Sequence, residues 1–204
     1  MDTKDKSLPR LMRDSSETDG KAEIVMDYVL SWTLRRAAKE CDIDNKPLLR
    51  HYCRYMLGLL LEIPMSDDVI VSEVRVWKEY WNIDLWVEVA LQCNGETEHH
   101  AILIENKYYT MLHNSYDDDG VPRNQLEVYK KKFDRHYADQ EHDNDIWQKH
   151  YALITCIDRD DPKFESYKIA ESFGFNIFSF YDLLPEATED TESDIFNEFW
   201  LRSW

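Results

Sequence analysis

Apolar residues recur at helical spacing in the first third of the chain. Over 21–39 they fall at three- and four-residue intervals, which predicts a helix buried over a wide face. A second helix is predicted to begin at Pro47, because proline favours the first helical position, and to end before Pro64. Residues 1–20 are polar and lack an apolar period, so we expect a flexible tail followed by one domain over 21–204.

The pattern then changes to an alternation of apolar and polar residues, which is typical of β-strands. Alternating segments at 69–77 and 83–91, then a turn at 94–95 and an apolar segment at 99–109, predict three strands with short connections. Such strands most simply form an antiparallel meander. The third strand is apolar on both faces through 101–104, so we expect it to be central in the sheet.

The second half of the chain alternates predicted helices and strands. After a loop at 111–122, we expect a helix over 123–137, a strand over 151–157, a helix over 164–173, a strand over 175–180 and a last helix at the chain end. Strand-helix-strand units favour parallel pairing. The sequence therefore predicts an α/β fold in which a mixed central sheet, an antiparallel meander plus parallel strands, is flanked by helices.

Composition indicates a globular, intracellular chain. The 204 residues include 12 Tyr, 8 Phe and 7 Trp but only 5 Gly and 6 Pro, which is enough apolar material for a substantial core. The four cysteines are dispersed, the N-terminus carries no apolar leader, and the apolar runs are far shorter than the ~20 residues that span a bilayer. We therefore expect a cytoplasmic protein with no membrane partner.

The net charge of −17 argues against broad attraction to nucleic acid or anionic membranes. The charge is uneven, because residues 1–60 carry a balance of +1 and residues 61–204 carry −18. A phosphate-binding surface is therefore expected to use the basic residues of the first third and one later basic cluster. The candidates are Arg35, Arg36, Arg50, Arg54, Lys130, Lys131 and Lys132.

Two charged residues, Glu105 and Lys107, end the third predicted strand and share one face of it, ~6.6 Å apart along the strand. Asp84 begins the preceding strand, so the hairpin register is expected to place it beside Glu105. Adjacent carboxylates raise each other's pKa unless a cation lies between them. Two carboxylates with positions left for water suit Mg²⁺ or Mn²⁺ better than zinc, and the lysine is suited to orient or deprotonate a water molecule.

A simpler interpretation of these three residues is a surface ion-pair cluster, which would contribute little stability. Other reaction classes have less support, because the chain has no G-x-x-x-x-G-K-[ST], G-x-G-x-x-G, G-x-S-x-G or H-E-x-x-H motif. Nucleotide-driven motors, Rossmann enzymes, common esterases and zincins are therefore disfavoured.

Three segments in order, NIDLWVEVA, AILIENK and RNQLEVY, resemble the motifs of the PD-(D/E)XK nuclease superfamily, in particular its bacterial and prophage members. The resemblance covers roughly residues 21–180 and implies a restriction-endonuclease-like core. It implies that Asp84 and Glu105 are metal ligands, that Lys107 is the motif lysine, and that the backbone carbonyl of Asn106 completes the ligand set. Ile83 stands where the name-giving proline would be, a replacement that the superfamily commonly shows.

The same resemblance extends to two helices. Gln125 and Tyr129 match the glutamine and tyrosine of the trailing helix, and at i and i+4 they share one helix face. Glu23 in the first helix is the best match to a further metal ligand, although Asp27 and Glu17 are also available. Each of these residues also has a structural interpretation, as a helix-end charge or as a packing residue.

The resemblance implies a Mg²⁺- or Mn²⁺-dependent nuclease that hydrolyses phosphodiester bonds of nucleic acid, with DNA favoured as the substrate. Lys130, Lys131, Arg35 and Arg36 are the candidate nucleic-acid contacts. The alternative is a catalytically inactive binding module on the same fold, or an acidic mimic of DNA, which the negative charge of residues 61–204 motivates. The aromatic chain end at 199–204 leaves a homodimer open.

Overall fold

The protein is described by a computed structural model over residues 19–41, 45–140 and 146–202. Most of the predicted tail and the last two residues of the chain therefore lie outside the described residues. The helices are α1 (Asp19–Arg36), α2 (Pro47–Leu61), α3 (Gln125–Gln140), a 3₁₀ helix (Phe164–Phe173), a short 3₁₀ turn (Phe180–Leu183) and α4 (Asp194–Phe196), which continues as a wider π-helical turn (Asn197–Leu201). The strands are β1 (Ile70–Tyr80), β2 (Ile83–Cys93), β3 (Glu96–Lys107), β4 (Asn114–Tyr116), β5 (Pro122–Asn124), β6 (Trp147–Thr155) and β7 (Asn176–Ser179).

The main sheet is mixed, with strand order β1-β2-β3-β6-β7. β1, β2 and β3 pair antiparallel, whereas β3 pairs with β6 and β6 with β7 in parallel. The predicted meander, the predicted parallel pairing and the central place of the third strand are confirmed. β3 is central because its residues from His100 to Lys107 are all buried and alternate between two covered faces.

Two apolar clusters lie on opposite faces of the sheet. One joins α1, α2 and the C-terminal helical segment to the face that carries Leu85, Val87, Ile102 and Ile104. The other joins α3 and the longer 3₁₀ helix to the face that carries Trp86 and Leu103. The helices therefore cover both faces, as the alternation of elements predicted.

Two details differ from the sequence-based expectation. The predicted loop at 111–122 contains most of a small antiparallel hairpin, in which β4 pairs with β5. The predicted last helix is short, because α4 changes within three residues to the π-helical turn. No helix among the described residues combines the length and the apolar character that crossing a membrane requires.

Candidate functional site

Glu105 and Lys107 form a buried ion pair at the end of the central strand. Their side chains are 2% and 6% exposed, and Lys107 Nζ donates to Glu105 Oε1 over 2.7 Å. Both side chains are buried because β3 is covered on both faces up to this point. A buried ion pair is expensive to desolvate, so it differs from the exposed charge cluster that the sequence left open as an alternative.

Asp84 lies on the neighbouring strand at the same end of the sheet. The antiparallel register runs through Leu85 opposite Ile104, and its continuation places Asp84 opposite Glu105. Directly opposed residues share a face, so both carboxylates lie on the face that α3 covers. Asp84 Oδ2 also accepts a hydrogen bond from the backbone N–H of Asn106 over 2.8 Å.

Helix α3 closes the site with its first residue. The buried Gln125 amide donates through Nε2 to Glu105 Oε1, and its Oε1 accepts from the backbone N–H of His113 over 3.0 Å. One turn later, the Tyr129 ring is buried beside Asp84 and Glu105, and the pKa of its hydroxyl is raised to about 12, first by burial and then by these carboxylates. Gln125 therefore fixes both the carboxylate and the loop that follows β3.

Glu23 enters the same region from the start of α1. Its Oε1 accepts a hydrogen bond from the backbone N–H of Tyr108 over 3.0 Å and another from the Thr110 hydroxyl. Both donors belong to the segment directly after Lys107. Glu23 therefore anchors the loop at the mouth of the site, while its charge acts electrostatically on Glu105 and Lys107.

Two further charged residues also meet there: Asp27, which the sequence offered only as an alternative to Glu23, and Lys78, which the sequence did not indicate. Asp27 is 4% exposed, and its Oδ1 accepts from Asn106 Nδ2 over 2.8 Å. Its Oδ2 lies 3.2 Å from Lys78 Nζ on β1. The sequence signal for Asp27 was its position one turn after Glu23, whereas Lys78 lies on a distant strand and carried no signal. Asn106 thus links two carboxylates, through its backbone to Asp84 and through its side chain to Asp27.

Two buried oxygen atoms of this cluster have no hydrogen-bond partner among the described residues. They are Glu105 Oε2 and Asn106 Oδ1. A buried carboxylate oxygen without a donor is costly, so native proteins rarely leave one without a reason such as an ion or a water molecule. The free oxygen of Glu105 therefore marks a position for a positively charged or hydrogen-bonding ligand.

The pKa values of the cluster reflect burial and crowding of negative charge. Burial raises the pKa of Glu105 to about 7, against the opposing effect of Lys107. Burial, then the charges of Glu105 and Asp27, hold the pKa of Asp84 well above its ordinary range. Burial alone would lower the pKa of Lys107, but the carboxylates outweigh it and the pKa is raised, so the amine is held as an ammonium ion.

The predicted basic contacts lie elsewhere or are already engaged. Arg35 and Arg36 are at the end of α1, ~18 Å along the helix axis from Glu23, and Arg36 lies over the Trp32 ring. The Lys130 ammonium lies 3.2 Å from the centre of the Tyr151 ring, whereas Lys131 is exposed. The structure brings together the acidic residues, Lys107, Gln125 and Tyr129, but does not bring these cations to them.

The described acidic residues of the site lie close together, but they do not form a complete set of protein ligands for a metal ion. Within residues 19–41, 45–140 and 146–202, no three His, Cys, Asp or Glu side chains are grouped so that they could together hold a metal ion. A Mg²⁺ ion, however, keeps several water ligands and is commonly held by one or two carboxylates. Asp84 and Glu105, with the free Glu105 Oε2, fit that smaller donor set.

The chain was compared with known proteins at three levels. It matches no family model, no curated protein and no solved structure.

Proposed function

We propose that the protein is a metal-dependent nuclease with a restriction-endonuclease-like core, whose active site is the cluster of Asp84, Glu105 and Lys107. The observation that carries the proposal is the buried Glu105 carboxylate, which is paired with Lys107 through one oxygen and has no partner for the other among the described residues. A buried carboxylate oxygen without a donor costs free energy in the unliganded fold, and it is suited to accept a metal ion or a hydrogen bond from a ligand.

Asp84 and Glu105 would hold the ion, with Mg²⁺ or Mn²⁺ as the metals that suit oxygen ligands. When bound, the metal supplies charge neutralisation at the phosphate and lowers the pKa of a water molecule. It would also offset the burial that raises the pKa of both carboxylates and the charge of Glu105 that further raises the pKa of Asp84.

Lys107 acts as a fixed cation in this proposal. Against the effect of burial, Glu105 and Asp84 raise the pKa of Lys107, so its ammonium is suited to donate hydrogen bonds and to offset negative charge as the transition state forms. Because Lys107 is held by Glu105, its ammonium group needs little reorganisation to serve a phosphate oxygen.

The surrounding residues hold these groups in place. Gln125 fixes one oxygen of Glu105 and the backbone of His113, and Glu23 fixes Tyr108 and Thr110. Hydrogen bonds from α1 and α3 thus hold the end of β3 and the loop that follows it in place. Preorganisation of this kind is what a site for phosphoryl chemistry needs, because catalysis there is mostly positioning and electrostatics.

A cleavage assay tests the proposal. The purified protein is incubated with Mg²⁺ or Mn²⁺ and with single- and double-stranded DNA and RNA, alongside Lys107→Ala and the control Lys168→Ala, which removes an exposed lysine of the longer 3₁₀ helix. We expect metal-dependent cleavage of at least one substrate, lost in Lys107→Ala and retained in Lys168→Ala. Equal activity of the wild type and Lys107→Ala, or no cleavage of any substrate, would rule the proposal out.

A further inference from the structure

The turn of the hairpin between β1 and β2 contains a tryptophan, which is an unusual residue for a tight turn. Tyr80 pairs with Ile83, so the turn consists of Trp81 and Asn82. Both have positive φ, 56° and 66°. Two-residue turns of this kind favour Asn-Gly, and a bulky side chain in the left-handed region is strained. Strained backbone conformations persist where the surrounding contacts hold the residue in place, and they are common at functional sites. The contacts of the Trp81 ring therefore bear on what the turn does.

The Trp81 ring is held firmly but is not covered. It stacks on the Tyr80 ring with centroids 5.3 Å apart and planes 14° apart. Both rings meet the buried Trp86 edge to face, at centroid distances of 5.1 and 5.8 Å. Trp81 is nevertheless 45% exposed and Tyr80 38% exposed. The turn therefore presents a rigid aromatic surface to solvent.

This surface adjoins the candidate active site. Trp86, on which it rests, points to the same sheet face as Asp84, two residues earlier and ~6.6 Å away along β2. The turn directly precedes Ile83 and Asp84, so a base stacked on Trp81 would lie at the end of the sheet that carries Asp84 and Glu105.

Two further exposed rings border the site, and each has an amine over it. Tyr28, which follows Asp27, is 63% exposed and has Lys78 Nζ 5.3 Å from its ring centre. Tyr109, which follows Lys107 by two residues, is 43% exposed and has Lys163 Nζ 5.1 Å from its ring centre. An ammonium beside a ring is a combination that single-strand binding surfaces use. Lys163 beside Tyr109 offers it, whereas Lys78 is already paired with Asp27 and Glu79.

We propose that the Trp81 turn is a stacking platform for an unpaired base and that the protein binds single-stranded nucleic acid across the candidate site. The assignment rests on the proposed function. Bases of a duplex are already stacked on each other and cannot lie on such a ring, whereas single strands offer theirs. Stacking also suits a chain with a net charge of −17, because broad electrostatic attraction to phosphates is weak here.

The test uses variants that separate folding from binding. Trp81→Gly removes the ring and places at positive φ the residue that adopts it most easily, which offsets part of the packing lost with Tyr80 and Trp86, and thermal unfolding checks that the variant is folded. Asn82→Gly relaxes the same turn but keeps the ring. Ile195→Ala removes an exposed apolar side chain from α4, on the other side of the sheet. Binding of labelled single-stranded DNA, single-stranded RNA and duplex DNA is measured by fluorescence anisotropy at low salt with EDTA, which prevents cleavage.

We expect the wild type to bind a single strand more tightly than the duplex, and Trp81→Gly to bind it at least about fivefold more weakly. Asn82→Gly and Ile195→Ala should bind as the wild type does, and the two single-stranded probes show whether DNA or RNA is preferred. Wild-type affinity in Trp81→Gly, or an absence of single-strand binding by the wild type, overturns the platform.

The outcomes for the platform and for the proposed function are distinguishable. Cleavage of duplex DNA at the same rate by the wild type and Trp81→Gly, without single-strand binding, would leave the nuclease proposal standing and remove the platform. Trp81-dependent binding without cleavage under any metal would leave the platform as a binding site and remove the nuclease proposal.

Discussion

Lys107 Nζ lies 2.7 Å from Glu105 Oε1, while the other oxygen of the same buried carboxylate has no hydrogen-bond partner among the described residues. Ion pairs that serve the fold are usually satisfied at each buried oxygen or are exposed to water. This pair is instead half satisfied at the end of a central strand, beside Asp84. The arrangement is destabilising for the free protein and favourable for a ligand that can fill the position.

Replacing Glu105 by Gln should separate stability from function. Gln keeps the shape and an acceptor for Lys107 and Gln125, and it removes a buried negative charge whose pKa is raised to about 7. We expect Glu105→Gln to stay folded but to unfold at a lower urea concentration, because Lys107 is left as a buried ammonium beside a neutral amide, and to lose at least about 100-fold in any metal-dependent cleavage, since removal of one charge-stabilising group commonly has an effect of this size. A loss of stability with retained cleavage would indicate a structural ion pair.

Asp27 should be important for the fold around the site. Removing it leaves the Asn106 amide without its acceptor and Lys78 without its buried partner. We expect Asp27→Ala to lose about 1–3 kcal/mol in free energy of unfolding by urea titration, because a buried group is left unsatisfied. Glu79→Ala is the matched control, because it removes the exposed carboxylate that also contacts Lys78 and should change stability little.

Gln125 should hold the loop that follows β3. Its amide joins Glu105 to the backbone of His113. We expect Gln125→Ala to be less stable by about 1–3 kcal/mol and to be cut faster by protease between β3 and β4. The control on the same helix is Glu127→Ala, which breaks only an exposed pair with Arg123 and should behave as the wild type. Equal protease resistance of the two variants would argue against the bridging role.

A histidine pair between β3 and β6 should make stability depend on pH. His150 Nε2 lies 3.2 Å from His100 Nδ1, and burial, followed by the charge of His100, lowers the pKa of His150 to about 4. Glu62 acts on His150 and Glu98 on His100 in the opposite sense. The unfolded chain binds protons below about pH 6.5 while the folded histidine stays neutral, so the pair weakens the fold as pH falls from about 6.5 to 4.

The measurement is the urea midpoint at several pH values. The contribution of His150 is at most about 1.4 kcal/mol per pH unit in that window. His150→Gln keeps a polar side chain that does not titrate, so its stability should fall less steeply with acid than that of the wild type. Parallel curves for the two proteins would mean that His150 titrates alike in the folded and unfolded chains.

The sequence by itself determined the elements and much of their pairing. A period of two along 83–91 and short connections suffice to predict the meander, because side-chain alternation and turn length are local properties. The continuous apolar stretch before Glu105 likewise predicted a central strand. Asp84, Glu105 and Lys107 were predicted to meet because a hairpin fixes which residues of adjacent strands are opposite one another.

The tertiary structure decided which distant residues complete the site and in what state. Asp27 meets Lys78 and Asn106 only because α1 packs over the sheet, and no local pattern carries that packing. It also decided that Lys107 is held as an ammonium, since its pKa depends on burial and on carboxylates from other elements. Spacing along the chain can predict that charged side chains share one face of a strand. Their burial, and therefore their pKa values and chemistry, depends on which distant helices and loops pack over them.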